Sequence, residues 1–307
     1  MCGIIGLHLK NPDLQPRLGE LLTQMLEAMT TRGPDSAGIA VYSEAGPSDT
    51  VPAGSENTEL RYSLRAQEPL DWELLGKRLA ADTGAEVRVR QLGADVAVLS
   101  SAAGEALLLG AIRLAAPQVA VAGWGQAMVL VKDVGAPADI CHRYGIPGWA
   151  GYQGAGHTRM ATESAVTTAH SHPFAPAADL ALVHNGSFSN YATIRGRLAR
   201  AGVSCDTDND SEVAARLIAS RMAAGDGLAD AIKTVLKEMD GFFTLLVTTR
   251  TQFAVVRDSF ACKPAVIAET SDYVAMASEY HALAGLPGIT GAEVFEPMPE
   301  EIHLWSR

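Results

Sequence analysis

The first residues of the chain constrain both its fold and its chemistry. The run Met1–Gly6 (MCGIIG) is apolar and predicts a buried first strand over Cys2–Leu9. If Met1 is removed, Cys2 becomes the N-terminal residue and carries a thiol close to a free α-amine. An amine with an ordinary pKa of about 7.7–8.0 can take the thiol proton near neutral pH and later give it to a leaving group. The simplest alternative is a structural cysteine that opens a buried strand.

The periodicity of the rest predicts an α+β fold. Leucines and methionines between Leu18 and Met29 recur at helical spacing, and Phe242–Thr248 with Gln252–Arg257 has the pattern of an antiparallel strand pair. Strands and helices each cluster along the chain, which favours mostly antiparallel sheets. Glycine, proline and serine in Ser43–Arg65 predict an excursion at the surface. No linker divides the chain, so we expect a single domain over residues 2–307 with an enlarged middle segment at about 43–146.

Composition excludes several classes of function. Hydrophobic residues make up 48% and charged residues 19%, as in a globular protein. The net charge of −11 and the scattered basic residues argue against a nucleic-acid ligand. The four cysteines are widely separated without a CxxC, so neither a metal site nor a disulfide framework is expected. The sequence shows neither a signal peptide nor a membrane span, which predicts a cytoplasmic protein without a membrane partner.

Two short segments have residue types suited to substrate chemistry. His184–Gly186 (HNG) offers a side-chain amide beside an open backbone N–H, the donor pair of an oxyanion hole. Its simplest alternative is a tight Asn-Gly turn. Gly156–Arg159 (GHTR) brings an arginine after a glycine-rich approach, and arginine binds carboxylates with two hydrogen bonds. A lone arginine is otherwise a surface charge.

Acidic residues mark a helix start near the middle of the second half. Thr207–Glu212 predicts a helix that is capped by Asp210 or Ser211 and runs to about Ala224. An inward-facing aspartate there could bind an ammonium group. Arg32–Asp35 (RGPD) predicts a turn with a local ion pair. His170 and His172 are expected to be structural residues instead of metal ligands.

The order of these segments resembles class II glutamine amidotransferases. Cys2, Arg32–Gly38, Gly156–Arg159, His184–Gly186 and Asp210–Glu212 carry the resemblance, and later Arg257-Asp258 and Ala277–Glu279 extend it to at least Leu283. That family consists of N-terminal-nucleophile hydrolases. The resemblance implies a four-layer αββα sandwich with two mostly antiparallel sheets.

The resemblance also implies a role for each residue. Cys2 is the expected nucleophile, and its α-amine is the expected general base and acid. Asn185 and the Gly186 N–H are expected to stabilise the tetrahedral oxyanion. Arg159 would pair with the α-carboxylate of glutamine and Asp210 with its α-ammonium. A zwitterionic amino acid needs one cation and one anion at a fixed distance from the nucleophile.

Three further positions surround these residues. Arg32 and Thr162 are expected to support the site from behind, without contacting the reacting atoms. Met160 stands where many relatives have tryptophan, which affects the expected lid or pocket wall and leaves the reacting groups in place.

The sequence lacks any acceptor or synthase signature. We therefore expect the chain to hydrolyse glutamine through a Cys2 thioester and to supply ammonia to a synthase subunit in a hetero-oligomer. The enlarged middle segment resembles separate glutaminase subunits of glutamate-synthase-like enzymes, such as N-methylglutamate synthase. No cofactor is expected in this chain, and a flavin and an iron–sulfur centre are expected on the partner.

Other functions remain open from the sequence. They are a stand-alone glutaminase, another N-terminal-cysteine hydrolase or acylase, and an inactive scaffold subunit that keeps the fold. The pair Arg159 and Asp210 argues against an acylase, because an apolar acyl substrate does not need two opposite charges. Retention of all the expected reacting groups argues against a scaffold.

Overall fold

The computed structural model describes residues 2–44, 59–160 and 166–307. The strands in these ranges are β1 (Gly3–Leu9), β2 (Ser36–Tyr42), β3 (Leu60–Ala66), β4 (Val87–Gln91), β5 (Val96–Ser101), β6 (Val119–Gly125), β7 (Met128–Val134), β8 (Gln153–Arg159), β9 (Phe174–Ala177), β10 (Leu180–Phe188), β11 (Gly241–Thr248), β12 (Gln252–Arg257), β13 (Val266–Glu269), β14 (Tyr273–Ala277), β15 (Glu293–Phe295) and β16 (Ile302–Ser306). The α-helices are α1 (Leu18–Ala28), α2 (Trp72–Thr83), α3 (Glu105–Ala115), α4 (Pro137–Arg143), α5 (Tyr191–Arg200), α6 (Asp210–Ala223) and α7 (Leu228–Glu238).

The largest sheet has the first strand at its centre. Its seven strands run in the order β15-β13-β14-β1-β8-β2-β7, and the neighbours of β1 are antiparallel to it. Gly3 lies opposite Thr158, and Ile5 lies opposite Ala277. The predicted first strand is therefore confirmed at Gly3–Leu9, and the predicted helix after it is confirmed as α1.

The second sheet faces the first across an apolar layer. Its order is β16-β12-β11-β10-β9, and it contains the predicted antiparallel pair as β11 and β12. Ile4, Val183 and Leu246 belong to one buried cluster between the sheets. Side chains alternate along a strand, so Ile5 belongs instead to the cluster that packs against α1. Helices α6 and α7 cover the outer face of the second sheet. The expected αββα sandwich is confirmed.

The middle segment forms a third sheet that the sequence did not predict. Its order is β4-β5-β3-β6, and α2 and α3 pack on it around Tyr62, Trp72 and Leu99. The predicted surface excursion over Ser43–Arg65 was wrong for residues 60–65, which lie in the mostly buried strand β3 between β5 and β6. The remainder of that excursion, from residue 45 to 58, lies outside the described residues.

Polar contacts join the third sheet to the largest one. The Arg65 guanidinium bridges Asp95 at 2.9 Å and Asp133 at 2.8 Å, and the Leu130 N–H donates to the Ser63 hydroxyl at 2.9 Å. A single domain over residues 2–307 stays a prediction. In the described ranges, none of the helices has the length and hydropathy needed to span a bilayer.

Candidate active site

Cys2 lies at the start of the central strand of the largest sheet. Its backbone carbonyl accepts hydrogen bonds from Arg32 Nε at 2.9 Å and from Asn185 Nδ2 at 3.2 Å. The next residue is tightly enclosed, because a Cβ on Gly3 would lie 2.8 Å from Thr158 Oγ1 and 2.9 Å from Met29 Cβ. Close packing under Gly3 and two donors on one carbonyl therefore fix the position of Cys2.

Arg32 braces the N-terminus from a neighbouring turn. Its side chain is largely buried, and Nη1 forms an ion pair with Glu279. The turn is pressed against β8, since a Cβ on Gly33 would lie 2.5 Å from Arg159 N. Ser278, beside Glu279, accepts a hydrogen bond from Ile4 N–H at 2.9 Å through its hydroxyl. The structure thus places Arg32 behind Cys2, where the sequence expected a supporting residue.

Asn185 and Gly186 lie inside β10, so the turn alternative is wrong. Asn185 pairs with Thr244 and Gly186 with Phe243 of β11. Gly186 has a φ of +150°, and a Cβ there would lie 2.0 Å from the Phe242 carbonyl oxygen. Only glycine fits this position. Because an amide nitrogen has two N–H groups, Asn185 can hold the Cys2 carbonyl and still offer one donor.

Arg159 is the last residue of β8 and is buried between two strands. It pairs with Ser36 of β2, while the preceding Thr158 pairs with Gly3 of β1. Its residue exposure is 6%, so the surface-charge alternative is wrong. The antiparallel register therefore brings Arg159, at the end of β8, close to the start of β1, where Cys2 lies.

Asp210 is the first residue of α6 and points back to β10. Asn209, instead of Asp210 or Ser211, caps this helix, since its side chain accepts from Ser211 N at 2.8 Å. Asp210 Oδ2 accepts from the Phe188 N–H at 2.8 Å, and Oδ1 accepts from the Ser211 hydroxyl at 3.2 Å. These bonds hold the carboxylate close to the strand that carries Asn185. Asp210 therefore lies beside β10, the strand that also carries Asn185, whose amide contacts the Cys2 carbonyl.

Three buried histidines back this strand. His157 Nε2–H donates to the His184 carbonyl at 3.0 Å, and the His157 and His172 rings lie 4.1 Å apart. The Ser211 hydroxyl contacts His184 Nδ1 at 2.7 Å. Burial lowers the pKa of His157 to about 3 and that of His184 to about 4, and it lowers the pKa of His172 well below its ordinary value. All three rings are therefore neutral near neutral pH.

Some residues around the site were missed by the sequence reasoning. Glu279, Ser211 and His184 belong to the motifs that carry or extend the resemblance, but none of them was assigned a role at the site. Met160 is 37% exposed at the end of β8. Thr162 and Met1 lie outside the described residues. In the described part of the chain no cluster of His, Cys, Asp and Glu could hold a metal ion.

Comparisons with known proteins match the region of Arg159, Asn185 and Asp210, and one relative matches nearly the whole chain. Residues 157–285 match a family model described as a glutamine amidotransferase domain. The glutamine amidotransferase-like protein GlxB of Rhizobium meliloti (strain 1021) is 44% identical over 308 residues, which cover 99% of this chain and 98% of that protein. The isomerizing glutamine–fructose-6-phosphate aminotransferase of Mycolicibacterium smegmatis is 41% identical over 103 residues, which are 32% of this chain and 16% of that enzyme.

Solved structures agree on the fold. The glutamine phosphoribosylpyrophosphate amidotransferase of B. subtilis superposes with a TM-score of 0.62 at 18% identity. The match covers 99% of this chain and 47% of that one, so this chain spans about half of the solved enzyme.

Proposed function

Because this chain belongs to the glutamine amidotransferase family, we propose that it hydrolyses glutamine to glutamate and ammonia with Cys2 as the nucleophile. The thiolate attacks the side-chain amide carbon, and the α-amine of Cys2 returns the proton to the leaving nitrogen. The C–N bond breaks, ammonia leaves and a γ-glutamyl thioester remains. Water then attacks the thioester and releases glutamate and the thiol.

One observation carries this proposal. Arg32 and Asn185 belong to different motifs, and both donate hydrogen bonds to the Cys2 carbonyl, at 2.9 and 3.2 Å. These contacts hold Cys2, which becomes the N-terminal residue on removal of Met1, beside the amide that is proposed to stabilise the oxyanion. Because the nucleophile and the oxyanion donor are held in fixed positions, less translational and rotational entropy is lost on reaching the transition state than for free reactants.

Glutamine is a zwitterion, so one cation and one anion are proposed to bind it. We assign Arg159 to its α-carboxylate and Asp210 to its α-ammonium. Arg159→Lys and Asp210→Asn should each raise KM for glutamine and change kcat much less, because these groups bind the substrate equally in the ground and transition states. A fall in kcat at unchanged KM would contradict this assignment.

Labelling by a glutamine analogue tests the nucleophile. Diazo-oxo-norleucine should form one covalent adduct per chain, located at Cys2 by mass spectrometry, and should abolish release of ammonia. Cys2→Ala should lose both labelling and activity. Cys262→Ala is the matched control, since it removes an exposed thiol elsewhere and should change neither. Labelling at another residue, or activity in Cys2→Ala, would refute the proposal.

The acceptor of ammonia is proposed to lie on another subunit. The partner is a synthase of the glutamate-synthase type, such as N-methylglutamate synthase, with a flavin and an iron–sulfur centre. The proposed compartment is the cytoplasm, in line with four free cysteines in the chain.

Purification from native cells tests the partner. A flavoprotein that co-elutes and raises glutamine turnover is the expected result. Rapid turnover by a chain without such a companion would favour the stand-alone glutaminase and leave the Cys2 chemistry intact.

A further inference from the structure

A second concave surface lies between the third sheet and the largest one. This cleft has a volume of about 730 Å³ and is lined by β6, β7, β9 and the segment before α6. Its walls are largely apolar and include Val121, Trp124, Leu130 and Phe174. Sites for small molecules have volumes of about 300–1,000 Å³ and similar walls. Cys2, Arg159, Asn185 and Asp210 do not line it, so it is a separate site from the candidate active site.

Lys132 contributes an unneutralised cation to the cleft. Its ammonium donates to the carbonyls of Ser171 at 2.8 Å and Pro173 at 3.3 Å, and Nζ lies 4.9 Å from the centre of the Phe174 ring. Among the described residues no carboxylate forms an ion pair with it. Burial lowers the pKa of Lys132 to about 8, and the nearby Glu212 charge opposes this shift. A mostly charged group therefore stands in a poorly hydrated wall with neutral acceptors.

The acidic groups of the cleft already have cationic partners. Asp133 pairs with Arg65 at 2.8 Å and with Arg143 at 2.7 Å. Arg216 pairs with Glu212 at 3.2 Å and with Asp206 at 2.7 Å. Each of these carboxylates therefore has a guanidinium partner, and Glu212 and Asp206 share one.

Arg113 adds a second cation at the rim of the cleft. It lies in the last turn of α3 and is exposed, and it forms no ion pair with the residues that the structure describes. The side chains that line the cleft include four cations (Arg65, Arg113, Lys132 and Arg216) and three carboxylates (Asp133, Asp206 and Glu212), so the cleft has a surplus of one positive charge.

We propose that this cleft binds a small organic carboxylate with a flat apolar body. The carboxylate pairs with Lys132, and the body lies against the apolar wall that includes Trp124 and Phe174. The ion pair with the ligand carboxylate offsets the cost of holding the Lys132 ammonium away from water. The apolar body of the ligand covers apolar side chains of the cleft that would otherwise contact water. This inference does not depend on the proposed glutamine chemistry.

A matched pair of probes tests the charge requirement. Isothermal titration calorimetry of the intact chain with 3-phenylpropionate and 3-phenylpropionamide compares one shape with and without the charge. We expect the acid to bind at least about tenfold more tightly, equivalent to about 1.4 kcal/mol. Inorganic phosphate should bind much more weakly than the acid, since it has no apolar body. Equal Kd values for acid and amide, or phosphate that binds as tightly as the acid, would overturn the proposal.

Variants locate the binding site. Lys132→Met should abolish the preference for the acid, and Arg113→Gln should weaken acid binding without affecting the amide. Arg159→Lys, in the candidate active site, should leave both Kd values unchanged. If Lys132→Met does not fold, the proposal is still tested by Arg113→Gln and by the comparison of acid and amide binding to the wild-type chain. Loss of acid binding in Arg159→Lys with no change in Arg113→Gln would place the probe in the active site and refute the cleft.

Discussion

Replacing Ser211 with alanine should weaken glutamine binding more than it slows the chemical step. The Ser211 hydroxyl is buried and connects His184 Nδ1, at 2.7 Å, to Asp210 Oδ1, at 3.2 Å. Its loss leaves His184 Nδ1 without that partner, and a buried polar atom without a partner costs about 1–3 kcal/mol. Asp210 keeps only the Phe188 N–H bond, at 2.8 Å, so its carboxylate can turn away from the substrate ammonium. A loss of about 1.4 kcal/mol in that interaction raises KM about tenfold.

Two measurements separate stability from binding in this variant. Urea unfolding should show the fall in the free energy of unfolding, and coupled detection of glutamate should show a higher KM with kcat nearly unchanged. Ser211→Thr keeps the hydroxyl and should restore KM. Ser220→Ala removes a hydroxyl elsewhere on α6 and should have little effect on either measurement. A strong fall in kcat at wild-type KM, or the same effect in Ser220→Ala, would show that the Ser211 bridge does not position Asp210.

Three more predictions follow from the site. Asn185→Ala should lower kcat about 10²–10³-fold in the glutaminase assay, and an unchanged kcat would remove it from the oxyanion hole. Gly186→Ala should lower the free energy of unfolding, measured in urea, by more than the roughly 1–3 kcal/mol of backbone strain alone, because backbone atoms occupy the place of the new Cβ. Gly196 lies on α5 with open space around its Cα, so Gly196→Ala should be neutral or stabilising. Burial lowers the pKa of His157 from 6.5 to about 3. Between these two pH values the unfolded chain binds more protons at this residue than the folded chain does, so the free energy of unfolding decreases as the pH is lowered. His157→Gln should reduce that slope by up to about 1.4 kcal/mol per pH unit in urea titrations, and identical slopes would contradict it.

The sequence predicted those parts of the site that depend on local chemistry. Cys2 and Asp210 lie at the start of a strand and of a helix that periodicity and capping residues indicated, whereas Arg159 was proposed from its glycine-rich approach and from the family resemblance. The structure adds the register that brings them together, with Thr158 opposite Gly3 and Arg159 opposite Ser36. Register depends on partners distant in the chain, and residue spacing alone does not contain it.

Features set by tertiary contacts were missed or were left open between alternatives. Asn185-Gly186 has the composition of a turn, yet pairing with β11 keeps it in an extended strand. Turn propensity is local, and long-range pairing outweighed it here. The third sheet was missed for a related reason, because Arg61 and Arg65 give β3 a polar appearance. In the fold the Arg61 guanidinium is buried and donates to the carbonyls of Ser43 and Ala127, at 3.0 and 3.1 Å.

The separate core of the third sheet allows one part of the molecule to vary while another stays fixed. Tyr62, Trp72 and Leu99 pack among themselves and with α2 and α3, whereas Cys2 and Arg159 sit on strands of a different sheet. We expect substitutions in that core to change local stability without repositioning the nucleophile. An enzyme lineage could therefore remodel this layer, loop by loop, to suit a new neighbour or small molecule and inherit its hydrolytic geometry unaltered.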